Sequence, residues 1–153
     1  MTKKTFFVGV LAIALVFGMT VVGCDSDDPE EDTLPSILLS VYDDKWDKDT
    51  STNGEVKVRF SCSEALTPSD LSWVTLDKFS IVPSGDGDRT VSISSVVLEP
   101  YNTGNVDAKL TLTRSAVPEG NARRTAFVYL TVPSSVESKW TVKWAENKTT
   151  FQF

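Results

Sequence analysis

The residue that most restricts the chemistry of this chain is one it lacks. No histidine occurs among its 153 residues. Ser-His-Asp and Cys-His nucleophilic catalysis both need an imidazole to take the proton from the nucleophile, so neither is open in its usual form. Histidine-containing zinc sites go with them. The two cysteines, Cys24 and Cys62, are too few for a thiolate site. No glycine-rich loop leads into a helix to cradle phosphate. Carboxylate chemistry remains. Glycoside hydrolysis needs two carboxyls whose environments hold their pKa values apart. The closest pairs, Asp43 with Asp44 and Asp86 with Asp88, fall in predicted loops that offer no such contrast. No catalytic residue, and no enzymatic activity, is expected.

Binding is better represented. The stretch Tyr42-Asp-Asp-Lys-Trp-Asp-Lys-Asp49 gathers Asp43, Asp44, Asp47 and Asp49, enough oxygen donors to suggest calcium. Lys45 and Lys48 interrupt it, and it lacks the glycine and closing glutamate of an EF-hand, so a solvated loop is the favoured reading. Calcium is the one cofactor the sequence suggests. Trp46 and Trp73 lie in predicted loops, outside the regular alternation. An exposed indole there can stack on a sugar or anchor a protein. The competing reading is that each caps one end of a core.

The elements that position these residues read as strands. From Leu34 onward apolar residues alternate in short runs broken by turn residues. Val56, Val58, Phe60 and Cys62 share one face, against Glu55, Lys57, Arg59 and Ser61. Val106, Ala108, Leu110 and Leu112 oppose Asp107, Lys109, Thr111 and Thr113. Trp140, Val142 and Trp144 form one face, Phe151 and Phe153 another. Further strands are expected at Ile37–Tyr42, Phe79–Val82, Thr90–Leu98 and Thr125–Val132. The third changes phase between Ile93 and Val96, which suggests a bulge. The fourth is apolar on both faces, as in a central strand. Leu66–Leu71 suggests one helical turn capped by Ser69 or Asp70. Seven or eight short strands at this spacing predict an all-β, two-sheet antiparallel sandwich over residues 34–153.

The first 33 residues differ in kind. Lys3 and Lys4 precede an uncharged apolar run from Phe6 to Met19. Its length suits a signal-peptide core better than a membrane span of ~20 residues. It ends in Val21-Val22-Gly23-Cys24, which resembles a bacterial lipobox. That resemblance implies a signal peptide over 1–23, cleavage before Cys24, and a lipid anchor on the Cys24 thiol. Residues 24–33 then form an acidic, extended tether, with Asp25, Asp27, Asp28, Glu30, Glu31 and Asp32 around Pro29. Asp25 next to the cysteine resembles an inner-membrane retention signal, and the acidic tract resembles a surface-export signal. The outer membrane or cell surface is favoured over the periplasmic face of the inner membrane. From Thr33 on, 13 basic and 15 acidic residues nearly cancel, which gives no reason to expect nucleic acid.

Val58-Arg-Phe-Ser-Cys-Ser-Glu-Ala-Leu66, followed by Asp70-Leu71, Lys78-Phe-Ser-Ile81, Val91–Val97 and Lys109-Leu-Thr-Leu-Thr113, is similar to bacterial Ig-like modules. The resemblance implies an Ig-like sandwich used for adhesion or binding, with a protein partner favoured over a glycan. The alternatives are a structural accessory subunit of an envelope complex and a carbohydrate-binding module. A large exposed apolar patch would favour the subunit. A tryptophan beside a polar groove would favour ligand binding.

Overall fold

The computed structural model describes residues 34–46, 51–85, 89–116 and 124–153. Leu34–Phe153 is one compact unit, an all-β sandwich of two sheets. Its strands are β1 (Ser36–Lys45), β2 (Asn53–Cys62), β3 (Phe79–Pro83), β4 (Val91–Asn102), β5 (Asn105–Arg114), β6 (Thr125–Leu130), β7 (Thr141–Trp144) and β8 (Thr150–Gln152). One sheet runs β4-β5-β2-β1-β7 and the other β3-β6-β8. Leaving β7 aside, this is the order of a constant-type immunoglobulin sandwich, four strands facing three.

The alternation explains the layers. In β2, Val56, Val58 and Phe60 are buried, and in β5 so are Val106, Ala108, Leu110 and Leu112. These two strands pair in register from Asn53↔Thr113 to Ser61↔Asn105. Their inward rows form the floor of the core, and Ile37 and Leu39 of β1 extend it. The opposite wall is Phe79, Ala126, Val128 and Phe151. Each fully buried aliphatic side chain contributes about 1.5–3 kcal/mol to folding.

Four local readings of the sequence are corrected. β1 does not stop at Tyr42. It continues to Lys45, with an irregularity in its pairing with β2 between Val41 and Asp43. The sandwich is not wholly antiparallel, since β1 and β7 run parallel from Ser36↔Thr141 to Leu39↔Trp144. β6 is central in its sheet, but Phe127 and Tyr129 are exposed, because nothing among the described residues covers that outer face. The turn at 67–74 closes through consecutive three-residue hydrogen bonds, from Asp70 N–H to Thr67 O onward. Its cap runs the other way from expectation. Asp70 Oδ2 reaches back to accept from the Thr67 N–H at 2.9 Å and the Thr67 hydroxyl at 2.5 Å. The expected change of phase in β4 is present, between Ile93 and Ser95.

Candidate functional site: a groove at one end of the sandwich

The two loop tryptophans have different fates. Trp46 follows β1 directly and is buried, 6 % exposed. Its ring stacks on Phe151 and tilts against Phe153, and its Nε1–H donates to Ser51 O at 3.1 Å. Gly54 lies under the indole, where a Cβ would collide with Cγ and Cδ2 of Trp46. Trp46 therefore caps the core and offers no ligand platform. Arg114 closes the same end. It is 2 % exposed, sits 5.1 Å from the Trp46 ring centroid, and donates from Nη2 to Ser51 O. Extending the β5 alternation one step past Leu112 would have shown this inward guanidinium.

Trp73 is only half-buried. It meets Phe60 edge-on at 6.4 Å, and its Nε1 finds no acceptor among the described residues. It stands in the wall of an open groove of about 520 Å³. Three parts of the chain build that groove. Pro35 brings the start of β1. The Glu64–Trp73 segment brings Glu64, Ser69, Asp70 and Ser72. The one-turn helix α1 (Ser134–Glu137) and the residues after it bring Ser135, Val136, Lys139 and Trp140. The backbone N–H of Trp140 donates to Val136 O at 2.9 Å, which ties the residue to the end of the helix. Trp140 also borders a second hollow of about 240 Å³ with Val132, Glu137, Thr141 and Val142. Half-buried Trp140 thus lines both depressions. The Asp70 carboxyl is held below the usual carboxylate range, chiefly by the Thr67 hydroxyl and then by its N–H.

The groove volume lies in the range of small-ligand sites, ~300–1,000 Å³. Alternation marked Trp140 as core. It does pack against the core, yet it also fronts the groove, and the short helix that places it had no clear sequence signal.

On the outer face of the five-stranded sheet, Arg59 lies between the rings of Tyr42 and Tyr101, 3.5 and 3.6 Å from their centroids. Its guanidinium grips Asp107 through Nε–Oδ1 at 2.8 Å and Nη2–Oδ2 at 3.1 Å. The hydrogen bond to Asp107 is the main reason the guanidinium is held more firmly protonated than usual. Alternation puts Asp107 on the outward face, and it is there, but the Arg59 pair leaves it 3 % exposed. Beside them Glu99 bridges Lys109 at 2.8 Å and Lys57 at 3.7 Å.

The remaining described candidates, Asp43, Asp44 and Cys62, are not among the residues that line the groove. Asp43 and Asp44 belong to β1, opposite Lys57 and Val56, so the expected acidic loop begins as strand. Asp47, Asp49 and Cys24 lie outside the described residues. Among the described residues no group of three or more acidic or cysteine side chains is placed to hold a metal. Cys62 is a free thiol, half-buried, whose sulfur accepts from the Glu64 N–H at 3.4 Å. No family model, curated protein or solved structure matches this chain.

Proposed function

We propose that this chain is a lipid-anchored, extracytoplasmic Ig-like binding module without catalytic activity. The observation that supports binding is the end groove, where Trp73 and Trp140 stand among serine hydroxyls, two carboxylates and a lysine. Aromatic faces beside a few convergent polar groups are the composition of a ligand site. The anchor rests on Val21-Val22-Gly23-Cys24, and the acidic tether supports placement at the outer membrane or cell surface. Several acyl chains hold a protein at a membrane far better than one.

A second reading, a structural accessory subunit of an envelope complex, is supported by a different face. Val82 and Phe127 pair across β3 and β6, and Tyr129 lies 6.4 Å from Phe127, all three exposed. Such a row suits a fixed neighbour.

Two measurements on cells test the proposal. Labelling with a palmitate analogue is expected for the natural chain and lost in Cys24→Ala. Persistent labelling of that variant refutes the anchor. Protease added to intact cells is expected to digest the domain. Digestion only after lysis moves it to the periplasm and puts the subunit reading ahead.

A further inference from the structure

We infer that the end groove binds a short uncharged saccharide, which stacks on Trp140 and hydrogen-bonds to Glu64, Asp70 and Lys139. This rests on the reading of the chain as a binding module and names the ligand of that site. Three features of the groove point to it.

The first is the mixed lining. Glu64, Asp70, Lys139 and three serines surround the indoles. An apolar peptide anchor would strip water from these groups and leave them unpaired, which opposes its binding. A sugar ring replaces that water with hydroxyls, both donors and acceptors, while one of its faces is apolar C–H that packs on an indole.

The second is the balance of donors and acceptors. Two carboxylates offer acceptors only, and Lys139 donors only. A ligand must therefore give several O–H donors and some acceptors at short spacing, as vicinal hydroxyls do. The net charge of the three groups is negative, so an acidic sugar meets repulsion and a neutral one does not. Asp70 keeps its charge because Thr67 holds it.

The third is the shape. Trp140 lines both hollows, of about 520 and 240 Å³, so a ligand stacked on it has room in each. A chain of two or three rings fits this better than a single ring.

The test is titration of the full-length chain, in a detergent without a sugar headgroup, with neutral trisaccharides of glucose, mannose, galactose and N-acetylglucosamine. Sialyllactose is the acidic comparator. The readout is the indole N–H resonance of Trp73, which lines the same groove and is kept in every variant. At least one neutral trisaccharide is expected to shift it, and sialyllactose to bind about tenfold more weakly. Trp140→Ala should weaken binding at least about tenfold with an unchanged circular dichroism spectrum. If that variant misfolds, Glu64→Gln and Lys139→Ala should each weaken binding on an intact fold. Glu146→Ala, at an exposed turn away from the groove, should leave binding unchanged. No shift up to ~10 mM of any neutral trisaccharide overturns the proposal, as does equal binding of sialyllactose. A photo-crosslinker at Ser72 on intact cells separates the two claims. A protein adduct there without saccharide binding overturns the saccharide but leaves a binding module. Neither adduct nor saccharide binding overturns both.

Discussion

Among single residues, Asp107 is where sequence pattern and energetics diverge most. Alternation places it on the solvent face of β5, and the backbone does so. Arg59 then lies across it, with Tyr42 and Tyr101 on the two faces of the guanidinium, so the carboxylate is buried in a pair. The pair need not stabilise much against an apolar substitute, because desolvation offsets its attraction. Removing one partner differs, since it strands the other charge. Asp107→Ala is expected to lower unfolding free energy by about 3 kcal/mol, read as a shifted midpoint in urea with unchanged slope. Tyr42→Ala leaves the Arg59–Asp107 bonds in place and should cost less. Equal losses would mean that the rings, rather than the ion pair, hold this face together. Trp46 teaches a related lesson. Its position in a predicted loop leaves exposure and capping of the core both open, and the partners that decide for the cap, Phe151 and Phe153, are over a hundred positions away. Local pattern carries no information about such contacts.

At the scale of elements, the most legible strands were β2 and β5. Each is half-covered, so each shows a clean period of two. The phase change in β4 was legible for the same reason. Less legible was any element whose burial is set by its place in a sheet. β6 is apolar on both faces, which reads as doubly buried, yet one face meets no covering layer among the described residues. β7 reads as a short alternating strand, with Val142 and Trp144 on one face, but its parallel pairing with β1 has no local signature. Helix α1 is a single turn without a side-chain cap, too short for any period. Since α1 places Trp140, the groove itself was only half visible: Trp73 stood out, Trp140 did not. The turn between β4 and β5 was visible as Asn102-Thr-Gly-Asn105, and its glycine is required twice. Gly104 has φ +78°, and a Cβ there would lie 2.6 Å from Cys62 O. The Gly104 carbonyl also accepts from the Cys62 N–H at 2.8 Å, tying the hairpin tip to β2. Gly104→Ala is expected to cost about 1–3 kcal/mol. Gly85, also at positive φ but with nothing near its Cβ position, is the control and should cost less when changed to alanine. Similar losses at both would show that backbone strain alone, and not the crowding against β2, sets the cost.

For the molecule as a whole, the domain is closed by segments distant in sequence. β1 lies between β2 and β7, and Phe151 and Phe153 plug the end of the core that Trp46 caps. Phe151 is 4 % and Phe153 1 % exposed, and both pack on Trp46. Phe153 exchanges two backbone hydrogen bonds with Arg124, at 2.8 and 2.9 Å, next to the start of β6. Losing one buried phenylalanine costs about 3–5 kcal/mol. Losing both approaches the ~5–15 kcal/mol that holds a typical domain folded. Cys62 is the only cysteine among the described residues and is free, so no disulfide there offsets the loss. Deleting residues 151–153 should therefore abolish cooperative unfolding, although the deletion is far in sequence from β2 and β5. Deleting residues 1–33 should leave it intact, because Leu34–Phe153 is a compact unit with a core of its own. Both variants can be followed by tryptophan fluorescence in urea. If the C-terminal deletion unfolded as sharply as the full chain, Trp46 would be held by Gly54 and Arg114 alone, and the end of the core would be a lid. If the N-terminal deletion lost its transition, the tether would be a folding element, and the end groove that Pro35 borders would have to be studied with it attached.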